Sequence, residues 1–270
     1  MSVQPDAQVA YVLHSRPYRD TSLLVDLFTL EQGKISAVVK GARSPRSKFR
    51  AVLQPFTPLL VGWRGRHELK TLTQAESISP PLFLSGTGLM CGLYVNELLQ
   101  RLLQPSDPHP RLYVYYQYVL NELLSAEDIE VALRVFERQL LQQLGYDFDF
   151  QHCQAAQLYD YAPDRGFRVV TGGARSAQCF TGEQLCAIAA EDYRSADIKR
   201  AAKRLMRLAI EALLGHQVLR SRELFQKYRP AVTPMGADKH TASATGSEPA
   251  SCSPEPDKNS PEPDATTTPQ

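Results

Sequence analysis

Residues 22–50 read SLLVDLFTLEQGKISAVVKGARSPRSKFR, and this stretch decides how the first part of the chain folds. Ser22–Thr29 is rich in Leu, Val and Phe and alternates in part between apolar and polar residues, which is typical of a β-strand. Gln32-Gly33 is a turn signal, and the apolar residues of Lys34–Lys40 then recur at every second position. The stretch therefore predicts two strands that are joined by a tight turn.

Three further strand signals lie on either side of this pair. Val9–His14 precedes it, and His67–Glu76 alternates again further along the chain. Val52–Trp63 is apolar but contains two prolines, so we expect an edge strand or a bent strand there. Five short strands in about 80 residues predict a small closed or partly closed barrel, of which the OB-fold is the usual nucleic-acid-binding form.

Lys40–Arg50, which follows the predicted pair of strands, concentrates positive charge. It contains Gly41 and Pro45, which favour a loop over a helix, and it contains no acidic residue. Because a row of cations on a small β-domain attracts a phosphate backbone, we predict that this loop binds nucleic acid. A solvated, flexible loop is the alternative interpretation. The predicted phosphate-binding cations of the loop are Lys40, Arg43, Arg46, Lys48 and Arg50.

Helical periodicity begins after Pro80-Pro81 and continues to about Tyr228. Residues 146–180 lose this periodicity and contain three glycines, so we expect a short hairpin there. Elsewhere the spacing of the apolar residues predicts a helical domain. The predicted helices are Leu89–Leu103, Leu112–Leu124, a helix that begins at Asp128 and ends before Gly145, a helix that begins at Thr181, Asp197–Leu214 and Ser221–Tyr228.

Composition sets the last boundary. The sequence after Arg229 has eight prolines and contains no Leu, Ile, Phe, Tyr or Trp, so it cannot bury enough apolar surface to offset the entropy of ordering. We therefore predict an α+β multidomain chain. It has an OB-fold β-barrel at residues 1–80, an α-helical domain at residues 81–229 and a disordered C-terminal tail at residues 230–270.

Charge is segregated along the chain, although the formal net charge is only +1. Residues 10–80 contain 11 Lys and Arg against 5 Asp and Glu, and residues 194–229 contain 10 against 3. Residues 81–193 are acidic, with 7 Lys and Arg against 14 Asp and Glu. Two basic zones on either side of an acidic one indicate a polyanionic partner and a second partner of different character.

Several classes of protein are not supported by the sequence. It contains no apolar run of membrane-spanning length and no signal peptide, so we expect a cytoplasmic protein without a membrane partner. Five cysteines without a C-x-x-C pair are expected to be free thiols. His152, Cys153, Cys179 and Cys186 match no spacing of paired zinc ligands, so we predict no metal. We find no nucleophile with a base and no cofactor fingerprint, which argues against an enzyme.

The predicted helix Asp197–Leu214 is the most cationic one. One face of this helix carries residues 200, 203, 204 and 207. This face either binds phosphates, binds an acidic peptide or is simply exposed to solvent. Arg134 and Arg138, on an earlier helix, lie among large apolar residues. Each of these arginines either extends its guanidinium to solvent or binds a carboxylate at the mouth of an apolar pocket. The cations of the long helix are Lys199, Arg200, Lys203, Arg204 and Arg207.

Aromatic residues lie next to charge in two places. Phe49 is part of the basic loop, and Trp63 precedes Arg64 and Arg66. Each ring either stacks on an unpaired base or packs in the barrel core. The tyrosines of residues 113–118 have apolar neighbours and are expected to pack between helices.

The chain resembles the RecO family of bacterial recombination mediators, in particular its gammaproteobacterial members. Eight segments carry the resemblance, and together they cover about the first 230 residues in order. They are VLHSRPYRDTSLLVDLFT at 12–29, KGARSPRS at 40–47, LQPFTPLL at 53–60, ELKTLTQAE at 68–76, GLYVNELL at 92–99, FTGEQL at 180–185, AAKRLMR at 201–207 and SRELF at 221–225.

The resemblance implies an N-terminal OB-fold and a helical domain. It also implies binding to single- and double-stranded DNA, annealing of complementary strands and help in loading the RecA recombinase onto coated single strands. The implied partners are RecR, the acidic C-terminal tail of the single-stranded-DNA-binding protein and RecF. Many relatives carry a four-cysteine zinc site, but this sequence lacks the paired cysteines. A non-enzymatic OB-fold adaptor that binds RNA or peptides is the alternative.

These expectations assign roles to particular residues. Besides the cations of the basic loop, we predict that Arg64, Arg66, Lys199, Arg200 and Lys203 bind DNA. The tail of the single-stranded-DNA-binding protein is acidic and ends in a phenylalanine carboxylate. We therefore predict that Arg134, together with Arg204 or Arg207, flanks an apolar pocket that binds this tail.

Overall fold

Five strands close a barrel in the computed structural model, which describes residues 7–171, 178–215 and 217–227. The strands follow one another around the barrel in the order β1-β2-β3-β5-β4, and β4 pairs with β1 to close it. All of these pairings are antiparallel except that between β3 and β5. The strands are β1 (Gln8–Tyr18), β2 (Ser22–Thr29), β3 (Gly33–Val39), β4 (Leu59–Arg64) and β5 (Leu69–Ser77).

The interior of the barrel is filled by alternate residues of its strands. Ile35, Ala37 and Val39 of β3 are all at most 2% exposed, as their spacing predicts. Trp63 is 2% exposed and packs in the same interior cluster. The predicted strand Val52–Trp63 is shorter than expected, because its first part forms an irregular segment around two prolines that cannot donate a ladder hydrogen bond.

One short helix interrupts the predicted loop. Helix α1 (Phe49–Val52) begins inside the basic stretch, so Phe49 and Arg50 are helical rather than part of an open loop. Phe49 is half-buried against the barrel interior, and this contact explains why the chain forms a helical turn there.

Six longer helices and a small sheet follow the barrel in the described part of the chain. Strand β6 lies between β7 and β8 in an antiparallel sheet, at the position where a hairpin is predicted. Asp128 accepts a hydrogen bond from the backbone of Val131, and Thr181 forms a capping box with Gln184, so two helices begin where their caps predict. The elements are α2 (Gly86–Leu102), α3 (Pro110–Ser125), α4 (Ile129–Gln143), β6 (Leu158–Ala162), β7 (Gly166–Val169), β8 (Cys179–Thr181), α5 (Gly182–Ala189), α6 (Ala196–Leu214) and α7 (Arg220–Lys227).

Residues on the outside of the barrel pack into the hydrophobic core of the helical domain, which is separate from the interior of the barrel. Tyr11 and Phe28 on the outside of the barrel pack edge-on against Tyr116 of α3, with ring centroids 5.0 and 5.9 Å apart. Asn96 of α2 donates to the backbone oxygens of Val12 and Leu13 at 3.1 and 3.2 Å. The helices therefore pack against the side of the barrel that carries Tyr11 and Phe28.

The backbone of the barrel also approaches the backbone of the helical domain closely at Gly33. Gly33 has φ +62°, and a Cβ atom at this position would lie 1.9 Å from the backbone oxygen of Asp107. Lys34 donates to the backbone oxygen of Gln100 at 2.7 Å. A barrel followed by a helical domain is the fold that the sequence predicts, and it is confirmed. The predicted disordered tail, residues 230–270, lies outside the described residues.

Candidate functional site

Three loops gather at one end of the barrel. Val38 of β3 pairs with Thr71 of β5, and Thr71 pairs with Arg64 of β4, so the end of β4 lies at the same level as the start of the basic loop. Tyr18 pairs with Ser22, which places the turn between β1 and β2 at this end as well. The structure therefore brings residues 40–50, which we call the basic loop, next to Arg64 and the turn that contains Arg66.

The basic loop is anchored by one of its own arginines. Arg43 donates from Nη1 to the backbone oxygens of Arg19 and Asp20, each at 3.2 Å. The backbone N–H of Arg43 also donates to the backbone oxygen of Thr21 at 2.9 Å. Arg43 thus holds the loop against the turn between β1 and β2, in addition to the phosphate-binding role that the sequence predicts.

The other cations of the basic loop are free to bind a ligand. Lys40, Arg46, Lys48 and Arg50 are all exposed. No carboxylate forms a salt bridge with any of them in residues 7–171, 178–215 and 217–227. Because unpaired cations keep their counterions until a polyanion displaces them, this arrangement favours phosphate binding.

Sequence reasoning missed Arg19 in this cluster. Arg19 is exposed, its φ is +52°, and its guanidinium lies 5.3 Å from the centroid of the Tyr18 ring. Only the pairing of β1 with β2 places it beside the basic loop, although it occurs in a segment that resembles the RecO family. Trp63, in contrast, has no exposed face for a base because it is buried in the barrel.

A second cationic site lies among the helices. A cavity of about 390 Å³ opens between α2, α4, α6 and α7. Its apolar lining includes Ile129, Leu133 and Phe225. Its cations are Arg134, Lys203, Arg207 and Arg222, and we call the cavity with these four residues the cationic pocket.

Arg134 forms the innermost cation of the pocket and is only 5% exposed. Its Nη2 donates to Oε1 of Glu137 at 2.9 Å, and its Nε lies 2.8 Å from Oε2 of the same carboxylate. The hydroxyl of Tyr94 donates to Oε1 of Glu137 at 2.6 Å. Burial and then the charge of Glu137 raise the pKa of Tyr94 well above its usual value, so this hydroxyl stays protonated. The guanidinium is therefore fixed in one orientation, with Nη1 not used by Glu137.

Each remaining cation of the pocket also has an acidic neighbour. Lys203 Nζ lies 3.7 Å from Oε1 of Glu130. Arg207 donates from Nε to Oε1 of Glu211 at 2.9 Å, and Arg222 donates to the same oxygen. The side chains of Lys203 and Arg207 are largely exposed and that of Arg222 is partly buried. Exposed pairs hold their side chains only weakly, so an anionic ligand can replace Glu130 and Glu211 as the partner of Lys203 and Arg207.

Of the two alternatives predicted beside Arg134, Arg204 and Arg207, Arg204 does not line the cationic pocket. Its guanidinium lies 4.3 Å from the centroid of the Phe180 ring, and Nη2 donates to the backbone oxygen of Cys179 at 2.8 Å. Successive helix positions turn by about 100°, so a residue next to Lys203 in sequence points towards β8 instead. Arg207, four residues after Lys203, is the member of the predicted pair that joins Arg134.

The other predicted cations of α6 have structural contacts. Lys199 bonds the carboxylate of Asp128, which caps α4, and Arg200 Nη2 lies 3.4 Å from Oδ1 of Asp197. Arg138, which lies on α4, donates to the backbone oxygens of Ile188 and Ala189 at 3.1 Å each and thereby caps the C-terminal end of α5. The structure brings none of these three into the cationic pocket.

The cysteines do not form a metal site with their neighbours in the described residues. Cys186 donates from Sγ to the backbone oxygen of Cys153 at 3.6 Å, and His152 is an exposed residue next to Asp149. A search of residues 7–171, 178–215 and 217–227 finds no group of three metal-ligating side chains. None of the helices in the same residues has the length and apolar character needed to cross a membrane.

Comparison with known proteins places the chain in a family. The family model of the recombination protein O N terminal domain matches residues 4–81, and that of the recombination protein O C terminal domain matches residues 84–223. The chain belongs to the RecO family. DNA repair and recombination is accordingly the process in which the family places it.

Individual relatives agree over most of the chain. The DNA repair protein RecO of Haemophilus influenzae is 44% identical over 230 residues, which are 83% of this chain and 97% of the relative. That of Erwinia tasmaniensis is 45% identical over 233 residues, covering 83% and 94% of the two chains. That of Yersinia pestis is 44% identical over 229 residues, covering 82% and 94%.

Proposed function

We propose that this chain is a non-enzymatic recombination mediator. It binds single- and double-stranded DNA, anneals complementary strands and helps load the RecA recombinase onto single strands coated by the single-stranded-DNA-binding protein. The observation that carries the proposal is the group of exposed cations at one end of the barrel, which form no salt bridge with any residue that the structure describes. This observation also favours DNA over the peptide ligand of an OB-fold adaptor, because a polyanion gains most from unpaired cations.

The barrel end suits annealing because its exposed cations can neutralise phosphates. Its ligand contacts are flexible lysine and arginine side chains, and Trp63 is buried. Where these side chains bond phosphates, the contacts carry no sequence information. Two complementary strands that approach this surface lose part of their mutual repulsion, and base pairing between them then selects the correct partner.

The cationic pocket is the proposed dock for the acidic C-terminal tail of the single-stranded-DNA-binding protein. Nη1 of Arg134, to which Glu137 is not bonded, is the proposed donor to the terminal carboxylate, and Leu133 and Phe225 give an apolar surface for the terminal phenylalanine. The remaining acids of the tail replace Glu130 and Glu211 as partners of the rim cations. Since the pocket and the basic loop lie on different elements, one molecule can hold the coating protein and DNA together.

Other parts of the proposal follow from the family. RecR and RecF are the proposed protein partners, and the proposed location is the cytoplasm at the nucleoid. Residues 1–80, 81–229 and 230–270 are the proposed barrel, helical and tail segments. Lys199, Arg200, Lys203, Arg64 and Arg66 stay predicted DNA-binding residues, of which the last two share the barrel end with the basic loop.

Annealing of coated complementary strands tests the proposal. The wild-type protein should anneal oligonucleotides coated by the single-stranded-DNA-binding protein, and should do so poorly when that protein lacks its tail. A variant with Arg46, Lys48 and Arg50 changed to alanine should lose annealing in both cases. A matched control with Arg111, Arg165 and Arg168 changed to alanine removes the same charge from exposed positions elsewhere and should anneal normally. Equal activity of all three proteins would contradict the proposal.

A further inference from the structure

The acidic part of the sequence, residues 81–193, contributes carboxylates to a second cleft. Its negative charge suits neither DNA nor an acidic peptide. A cleft of about 530 Å³ opens between the C-terminal half of α6 and the segment around the β6–β7 hairpin. Three carboxylates, those of Asp147, Asp149 and Asp164, line it. This cleft is therefore the inverse, in charge, of the cationic pocket.

Aromatic rings form the floor of the cleft. Phe148, Tyr161 and Phe167 all line it, and their ring centroids lie 5.1 to 6.2 Å from one another. Tyr146, which is 56% exposed, adds a fourth ring to the lining. Aromatic faces carry partial negative charge, so a cation that enters the cleft meets attraction from the floor as well as from the carboxylates.

Tyr161 supplies an independent indication of a ligand. The residue is 6% exposed, and no donor or acceptor bonds its hydroxyl in the part of the chain that the structure describes. Burial raises the pKa of Tyr161 to about 12, so the hydroxyl is neutral and its oxygen can accept a hydrogen bond. Most of the side chain is buried, but the hydroxyl oxygen is accessible from the cleft, where it can bond a ligand.

The carboxylates differ in how far they are already neutralised. Asp147 accepts hydrogen bonds from the backbone of Phe148 at 2.8 Å and from the side chain of Gln142 at 3.1 Å, which fix its orientation. No salt bridge to Asp147 occurs within the described residues. Asp164 lies 3.3 Å from Nε of Arg165, and Asp149 lies 3.3 Å from Nδ1 of His152. Asp147 is thus the carboxylate that is free to bind a cation.

We propose that this cleft binds an arginine side chain from a basic segment of a protein partner. A guanidinium is flat and stacks on the aromatic floor, while its N–H groups donate to the Asp147 carboxylate and the Tyr161 hydroxyl. A lysine ammonium offers no flat face and fits the floor less well. The cleft accordingly provides a protein contact beyond the DNA and the acidic tail of the proposed function.

The test uses fluorescence anisotropy with a fluorescein-labelled glycine–serine peptide that carries two arginines. A second peptide carries citrulline at the same positions, which keeps the shape and removes the charge. The full-length protein should bind the arginine peptide, and Asp147→Asn should weaken this binding about fivefold or more. Glu183→Gln, which removes an exposed acid on α5, is the matched control and should bind as the wild type does.

Tyr161→Phe separates a ligand contact from a structural role. Because the hydroxyl has no partner in the described residues, its removal should leave the melting temperature unchanged or raise it, and should weaken the arginine peptide about tenfold. Both variants should bind single-stranded DNA and the acidic tail peptide normally. Wild-type protein that fails to bind DNA or the tail peptide would contradict the proposed function without testing this cleft. Equal binding of the arginine and citrulline peptides, or equal loss in Asp147→Asn and Glu183→Gln, would overturn the proposal. Displacement of the peptide by magnesium ions at the same aspartate would also overturn it, because the site would then be a metal site.

Discussion

The basic loop and the cationic pocket contain similar residues but hold them in opposite ways. Four cations of the loop are exposed and have no salt bridge in the described part of the chain. Every cation of the pocket has an acidic neighbour, and Arg134 is buried against Glu137. Charge density along the sequence therefore does not distinguish the basic loop from the cationic pocket. The two sites differ in whether an acidic side chain of the same molecule lies next to each cation.

This difference predicts two kinds of binding. A ligand of the loop gains from counterion release, does not need a fixed geometry and is sensitive to salt. A ligand of the pocket must compete with acids that are already present, and it gains from bonds to a guanidinium that Glu137 and Tyr94 hold in place. The loop suits a polymer of phosphates, and the pocket suits one carboxylate beside an apolar group.

Loss of Arg134 should give the largest effect. Arg134→Ala leaves the Glu137 charge buried without its partner, and the free energy of unfolding should fall by about 3–5 kcal/mol in urea denaturation. Binding of the tail peptide should weaken about 10- to 100-fold. A double variant, Arg134→Met with Glu137→Leu, should recover most of the stability but not the peptide binding. A single variant as stable as the wild type would show that the pair is not a buried charge pair in solution.

Neutralising the loop should give the next largest effect. A variant with Arg46, Lys48 and Arg50 changed to alanine leaves the Arg43 anchor in place. The slope of the logarithm of the single-strand binding constant against the logarithm of salt concentration should decrease by about two. Filter binding at several salt concentrations measures it, and tail-peptide binding should not change. A slope that matches the wild type would mean that the loop does not contact phosphates.

Arg207 and Arg204 provide a sharper test inside the helical domain. They lie three residues apart on α6, but only Arg207 lines the cationic pocket. Arg207→Ala should weaken binding of a labelled tail peptide about tenfold, since it removes a charge-assisted bond. Arg204→Ala should leave it within about twofold and should instead loosen the contact with Phe180. The reverse order of effects would place the peptide on the β8 side of α6.

The smallest effect is expected at the start of α6. Lys199 and Arg200 are predicted to bind DNA, but each already bonds an aspartate. Changing both to alanine should lower the salt slope for DNA by less than about one, which is less than the loop variant gives. The free energy of unfolding should fall by no more than about 1 kcal/mol, because both pairs are at least partly exposed. A slope change as large as that of the loop variant would remove the distinction drawn between paired and unpaired cations.

Local sequence was enough to predict which segments form the barrel and the helices. The strand Lys34–Lys40 and the caps at Asp128 and Thr181 are specified by residues only a few positions apart, and the structure has them where they are predicted. The turn at Phe49 was missed, because it depends on contact of Phe49 with a barrel interior built from distant residues. The sequence leaves Trp63 open between the barrel core and a stacked base, since its sequence neighbours do not show which side of the ring is covered.

The sequence by itself determined the fold class, the family and the two zones of positive charge, because each depends on short-range periodicity, composition or a run of matching residues. Only the tertiary structure decided which cations are free. The partners of Arg134, Lys203 and Arg207 stand three or four residues away in one helix or on a different helix, and sequence spacing alone does not show whether side chains at such positions meet. Tertiary structure likewise placed Arg19 beside the basic loop and Asp147 beside Tyr161, because strand pairing and helix packing join residues that are far apart in the chain.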